Sequence, residues 1–210
     1  MVDMCAGSRE CRTDSDTVRE RIIETATRLF ASLGYDGTPA QMIADAAGLD
    51  VATVTDLVGN KCDIYLAVME RAYLALRASY DSAFAEFTPD RAGVHLLADR
   101  YLDFCVDNPE APELWIHRWL SDAADVTGLE ALYIKPLLDR LSDALRSVVG
   151  PKVDLELAWW TVIWCVRGFV VGGVLNPSGQ PEGPCNTVFL RRFRTHLHKT
   201  VECVFKMDRW

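Results

Sequence analysis

Residues 38–65 read TPAQMIADAAGLDVATVTDLVGNKCDIY, and the fold turns on how this stretch is read. Two short helices joined by a tight turn, followed by the start of a third, account for its pattern. Ile43, Ala44, Ala47, Gly48, Leu49, Val54 and Leu57 stand at the spacing a helix-turn-helix requires. Ala44 is small enough for the second helix to cross closely over the first. Gly48 falls where the chain must reverse, and positive φ costs glycine little. Ile43, Ala47, Leu49, Val54 and Leu57 are expected to fill the small core between the helices. Asp50 is placed to cap the second helix, about Val51 to Val58. Asn60 is placed to cap the next, with Asp63 near its positive N-terminal end. An ordinary helical hairpin in some other all-α protein is the alternative to a DNA-binding motif.

The 210 residues suit one medium domain, or a small head on a larger body. Half are hydrophobic, no run alternates as a strand does, and nine prolines and thirteen glycines cluster at boundaries, which favours an all-helical fold. The net charge is −8, unusual for a nucleic-acid binder. Residues 1–70 hold six basic and twelve acidic side chains, a net of −6, against −2 for the remainder. An acidic head works against tight, non-specific phosphate binding. The seven cysteines are odd in number and lack CxxC spacing. Cys105, Cys165 and Cys203 lie inside apolar helical patterns, so reduced, mostly buried thiols of a cytosolic protein are expected. The N-terminal MVDMCAGSRECRTDSD is polar and lacks the apolar core of a signal peptide.

Taken in order, residues 1–15 read as a disordered arm, from which Arg9 and Arg12 are within reach of a DNA backbone if they are not simply solvated. Thr17 and Glu20 form a T-x-x-E capping box that opens the first helix, with Ile22, Ala26, Phe30 and Leu33 on one face and Gly34 at its end. Thr38 is expected to cap the second helix, with Pro39 in the first position. A long helix from Lys61 to about Glu86 links head to body. Helices follow over about Pro89 to Val106, Pro112 to Ala124 and Gly128 to Val149, the last bent or restarted at Pro136. Asp154 caps the most apolar segment, LELAWWTVIWCVRGFVVGGVL, which nears membrane-spanning length. Arg167 in its middle and soluble amphipathic flanks favour a buried helix at a subunit interface, where Gly168 and Gly172 permit close backbone approach. NPSGQPEGP (176–184) is a loop. A last helix, about Asn186 to Met207, carries Phe193, Leu197, Val201 and Val204 on one face.

The segment TVRERIIETATRLFASLGYDGTPAQMIADAAGLDVATVTDLVGNKCDIYLAVME, about Thr17 to Glu70, resembles the N-terminal domain of TetR-family transcriptional regulators. That family's first helix ends in L-F-x-x-x-G-Y, followed by T, then I-A-x-x-A-G-V, a short recognition helix and a Lys. Leu29, Phe30, Gly34, Tyr35, Thr38, Ile43, Ala44, Ala47, Gly48, Leu49, Thr53 and Lys61 supply it here. The resemblance implies an all-α fold with an N-terminal helix-turn-helix DNA-binding domain (16–60) and a C-terminal helical ligand-binding and dimerisation domain (61–210). It implies that the last two helices form a four-helix bundle with a second copy, and that Lys61 meets a backbone phosphate.

The recognition helix departs from the family's habit. Where K-G-T-L-Y-x-H-F is usual, this chain has Val51, Ala52, Thr53, Val54, Thr55, Asp56, Leu57 and Val58. The basic and aromatic phosphate contacts are gone, Gly59 replaces the usual Pro, and Asp56 puts a negative charge on the reading face. Asp56 is suited to accept from a cytosine amino group, and equally to repel phosphate. Thr38, Val51, Ala52, Thr53, Thr55, Asp56 and Lys61 are the candidate DNA contacts. For Thr38, Thr53 and Lys61, capping or plain surface exposure is the alternative.

For the body, a pocket is expected among Tyr101, Phe104, Trp115, Arg118, Trp119, Tyr133, Trp160 and Trp164. Trp115 and Trp119 are one turn apart, as are Trp160 and Trp164, so each pair shares a face. Aromatic walls with few polar groups suit a flat or apolar effector, and His117, Arg118 or Arg167 are placed to orient it. Any single tryptophan is alternatively core or interface. His196 and His198 point to different faces, His95 stands alone, and Arg191, Arg192 and Arg194 read as a solvated face or interface ion pairs. No metal site, cofactor or catalytic motif is expected. The reading is a homodimeric, cytoplasmic, non-enzymatic regulator, most simply a repressor released from double-stranded operator DNA by a small molecule, with no membrane partner. The alternative is a small-molecule receptor or partner-binding protein whose head no longer binds DNA.

Overall fold

A computed structural model describes the backbone of residues 6–207 and the side chains of residues 15–207. The described chain is helical apart from a two-residue hairpin: α1 (Ala6–Leu33), α2 (Ala40–Ala47), α3 (Val51–Val58), α4 (Lys61–Glu86), α5 (Arg91–Asp107), α6 (Glu110–Trp119), a π-helical turn (Glu130–Ile134), α7 (Lys135–Leu145), α8 (Leu155–Gly172), β1 (Val174–Leu175), β2 (Pro181–Glu182) and α9 (Thr187–Val204). It divides into two compact units. Residues 1–72 and 113–127 make the head; residues 73–112 and 128–210 make the body. The division falls inside α4, not at residue 60, and the segment after the start of α6 belongs to the head.

Helix α1 begins at Ala6, well before Thr17. Residues 1–5 of the expected disordered arm lie outside the described residues, as do the side chains of Arg9 and Arg12, while residues 6–15 continue the helix. No proline interrupts this stretch, so the T-x-x-E pattern sits mid-helix, and Glu20 pairs with Arg71 of α4 at 2.5 Å instead of capping. The head core is Ile22, Ala26, Phe30, Ile43, Ala44, Val54, Ile64 and Met69, each almost wholly buried. Leu49 and Leu57, expected in that core, are only half-buried. Phe30 meets Tyr65 edge-on at 5.3 Å, and Tyr35 stands 4.8 Å from Tyr65. Such pairs add about 0.5–1.5 kcal/mol each beyond burial.

In the body, Asp154 caps α8 by accepting from Leu157 N at 3.0 Å. Pro136 sits in the first turn of α7, directly after the π-helical turn, where its missing N–H costs no ladder bond. By length and apolarity α8 passes for a membrane span, with a mean hydropathy of 1.3. It is instead a packed helix of the body, with Ala158, Trp159, Val162, Ile163, Val166, Arg167 and Phe169 buried. Phe193, Leu197 and Val201 of α9 were expected to face outward to a partner. They face their own body: Leu197 and Val201 are buried, and Phe193 stacks on Phe169 of α8 at 3.9 Å. Of the five described cysteines only Cys105 is buried; Cys62 is half-buried and Cys165, Cys185 and Cys203 are exposed, so the expectation of mostly buried thiols fails. Cys165 and Cys203 lie on faces of α8 and α9 that the body leaves uncovered.

A polar ladder joins α5 to α9. Arg91, His95, Asp99 and Asp103 recur every fourth residue on α5; Arg194, His198 and Glu202 do so on the antiparallel α9. Arg91 pairs with Glu202 at 2.8 Å, Arg194 with Asp99 at 2.9 Å and also with Asp103, and His198 Nε2 with Asp99 at 2.9 Å. His95 does not stand alone: its ring stacks on His198 at 4.1 Å, and its Nε2 is 3.2 Å from Glu202. Burial first, then the neighbouring His198, hold the His95 imidazole below its ordinary range, against the opposing pull of Glu202 and Asp99. The folded body therefore favours neutral His95. Its contribution is complete above the unfolded histidine value of about 6.5 and is lost as pH falls through the lower folded value. The expected outcome is that thermal stability falls more steeply on acidification below about pH 6.5 in the unaltered protein than in His95→Gln. Melting curves across a pH series measure this, and identical slopes would refute it.

Candidate nucleic-acid interface and body cavity

The turn between α2 and α3 is built as the sequence requires. Gly48 is left-handed at φ 69°, and its N–H closes onto Ala44 and Asp45 carbonyls. A Cβ there would touch nothing, so the conformation alone asks for glycine. Asp50 caps α3: one carboxylate oxygen accepts from Thr53 N at 2.8 Å and the other from the Thr53 hydroxyl at 2.9 Å. The Thr53 hydrogen bonds hold the Asp50 carboxyl below the usual carboxylate range. At α4, Asn60 accepts from Cys62 N at 2.8 Å while Asp63 accepts from Asn60 N at 2.9 Å, a reciprocal cap.

The seven candidate DNA contacts fall in different places. Ala52, Thr55 and Asp56 are exposed along α3; Val51 and Thr53 are half-buried. The Thr55 hydroxyl donates to Val51 O at 2.8 Å, so like Thr53 it is engaged in its own helix. Thr38 differs from its expected role. Pro39, not Thr38, is the N-cap of α2, and Thr38 is wholly buried with its hydroxyl donating to Gly34 O at 2.7 Å. The chain turns inward after Gly34, which places that hydroxyl under the α1 terminus instead of at a phosphate. Lys61 is half-buried, and its ammonium lies 4.1 Å over the Tyr35 ring. That cation–π contact joins two residues far apart in sequence and carried no sequence signal.

The eight candidate pocket residues do not form one site. Trp115, Arg118 and Trp119 belong to the head's compact unit, and the other five to the body's. Within the body, Tyr101 and Trp160 line an interior cavity with Tyr80, Leu137, Ile163 and Arg167. Its volume is about 20 Å³, room for about one water. Arg167 Nε donates to the Tyr101 hydroxyl at 2.7 Å inside it. Burial pushes the adjoining Cys105 thiol up to about 11 and raises the phenols of Tyr101 and Tyr80. Phe104 is buried but does not line this cavity, while Tyr133 lies tilted against Tyr73 with ring centroids 4.9 Å apart. Trp164 lies elsewhere, 55% exposed, in an open groove of about 880 Å³ between α8 and α9. Among the described residues no three His, Cys, Asp or Glu side chains are arranged to hold a metal ion.

A helix-turn-helix with a capped, outward-facing second helix, followed by a helical body, is the fold these residues build. Residues 22–68 match the family model described as bacterial regulatory proteins, tetR family. The chain is 23% identical over 146 residues to the HTH-type transcriptional activator FasR of Mycolicibacterium smegmatis, covering 69% of this chain and 64% of FasR. The chain thus spans about two thirds, 64%, of that curated relative's length. Two solved structures share the fold. The ketosteroid transcriptional regulator KstR2 of Mycobacterium tuberculosis superposes with a TM-score of 0.67 at 15% identity, over 89% of this chain and 94% of that one. AibR, solved with isovaleryl coenzyme A and operator DNA, superposes with a TM-score of 0.62 at 19% identity, over 90% and 98%.

The cap makes a local prediction. Asp50→Ala is expected to destabilise α3 through the loss of its N-cap. Amide exchange at Thr53 should accelerate ahead of amides in α1; unchanged exchange there would contradict the cap's role.

Proposed function

We propose that the chain is a homodimeric, cytoplasmic regulator of transcription that places α3 in a major groove and leaves its operator when a small molecule occupies the body. One observation carries the reading: an Asp50-capped α3, turned off α2 by a left-handed Gly48, presents Ala52, Thr55 and Asp56 to solvent. These side chains are short, so base contact is by close approach of the helix. Asp56 is the group suited to a cytosine amino donor. With no basic side chain on α3, phosphate contact rests on Lys61 and on the backbone at helix starts. Repression is the simplest mode for such a device, and nothing in it requires turnover.

The effector is of the apolar or aromatic class. The interior cavity is walled by Leu76, Tyr80, Tyr101, Leu137 and Ile163, with Arg167 as its charged member. At about 20 Å³ it admits no effector without rearrangement. Effector binding therefore selects or creates an opened body, which is the differential affinity that couples the sites. AibR's complex with isovaleryl coenzyme A supports an apolar-tailed effector by analogy. Dimerisation is supported by the uncovered face of α8 and α9. Trp164, Val171, Val174, Leu175 and Val188 are exposed there, and Gly168 and Gly172 have open space where a Cβ would stand.

Two measurements test the reading. Fluorescence anisotropy with duplex from the gene's own promoter region should give specific binding, weakening as salt rises. Lys61→Ala should weaken it uniformly across sequences and reduce the slope of log K on log salt by about 1. No binding by the folded protein at low salt, to this duplex or to a random-sequence pool, would sink the DNA-binding reading. Trp164→Glu is expected to convert a dimer to a folded monomer in analytical ultracentrifugation. A variant that sediments as the unaltered protein does would place the interface elsewhere.

A further inference from the structure

Ser121 and Ala123 hold positive φ, 70° and 53°, without being glycine. Such backbone is costly and persists only where its surroundings enforce it. The enforcement here is visible. Ala123 and Val126 are buried, Val126 N donates to Ala123 O at 3.0 Å, Ser121 N to Arg118 O at 3.2 Å and Asp122 N to His117 O at 3.2 Å. The Arg118 guanidinium donates to the Ala123 carbonyl, and His117 Nε2 lies 2.9 Å from Ala31 O at the end of α1. The result of this contortion is the aim of one side chain. Both oxygens of Asp122 grip consecutive backbone amides after α1: Tyr35 N donates to Oδ2 at 2.6 Å and Asp36 N to Oδ1 at 2.8 Å. Gly34, at φ 75°, lies so close that a Cβ would stand 3.0 Å from the carboxylate.

What Asp122 holds is the base of Tyr35. The Tyr35 ring packs with Phe30 and Tyr65 and carries the Lys61 ammonium. We propose that Asp122 is a positioning residue for DNA binding: by clamping the Tyr35 backbone it fixes the ring on which Lys61 rests, and so holds Lys61 ready for a backbone phosphate. This rests on the DNA-binding reading above. On an α3 that has no cation of its own, a pre-placed Lys61 avoids the entropy of ordering a free lysine in the complex.

A double-mutant cycle on the full chain tests it, read by anisotropy with the promoter-region duplex. Asp122→Ala is expected to weaken binding about tenfold and Asp122→Asn, which keeps one acceptor, by less. In a Lys61→Ala background the same changes should cost less than about twofold. Full additivity would overturn the inference, because a purely structural effect of Asp122 is not expected to depend on Lys61. If Asp122→Ala does not fold, Asp122→Asn carries the cycle. Amide exchange at Tyr35 and Asp36 gives an independent readout without DNA. It should accelerate in Asp122→Asn while the interior of α1 is unchanged, and unchanged exchange in a folded variant would overturn the clamp. If the unaltered protein binds no duplex, the DNA-binding reading and the role of Lys61 fall together, and the exchange result alone decides whether Asp122 clamps.

Discussion

The edge-on contact of Phe30 with Tyr65 is the point on which the head depends. Phe30 belongs to the last turns of α1 and Tyr65 to the first turns of α4, and Tyr35 between them closes the cluster. Helices as short as α2 and α3, eight residues each, have little stability of their own. They persist because Ile43, Ala44, Ala47 and Val54 are buried in the head, with α2 and α3 both packed on α1. The exposed face of α3 is therefore free to carry almost any side chain. That freedom accounts for an α3 that departs from the TetR-like pattern at its exposed positions on a frame whose buried positions keep to it.

The elements whose signals are local were legible in the sequence. Gly48, Asp50, Asn60 with Asp63, Asp154 and Pro136 each act within a few residues of themselves, and each does in the structure what its chemistry dictates. Where the sequence misled, the deciding partner was distant or the local pattern was ambiguous. A T-x-x-E box reads alike at a helix start and in a helix middle, so the start of α1 was misplaced. A threonine before a proline offers its hydroxyl outward or inward, and only the packing beneath Gly34 turns Thr38 in. The stripe on α9 was read correctly as apolar but assigned to the wrong neighbour, since periodicity shows that a face is covered and not by what. The histidines of the α5–α9 ladder are 103 residues apart, and their common four-residue period has meaning only once the helices are paired.

The candidate sites were less legible than the fold for the same reason. Aromatic content in the body was real, but tryptophans fill cores as readily as they wall pockets. Trp115 and Trp119 went to the head's unit, Trp160 to an interior wall, and Trp164 to an open groove. Asp122 had no signal at all, because a carboxylate reaching 87 residues back to a main-chain amide leaves no mark in spacing or composition. Only the positive φ values on either side of it single it out, and those are properties of the fold.

The interior cavity of the body has a consequence for tempo. On the proposed reading, a space of about 20 Å³ is too small for an effector, so capture would wait on an opening that the protein makes by itself. Raising the effector concentration would then speed the response only until each opening is used. Beyond that level the switching time would be an intrinsic constant of this chain, set by how often the body opens, and a pulse of effector shorter than that interval would pass unnoticed.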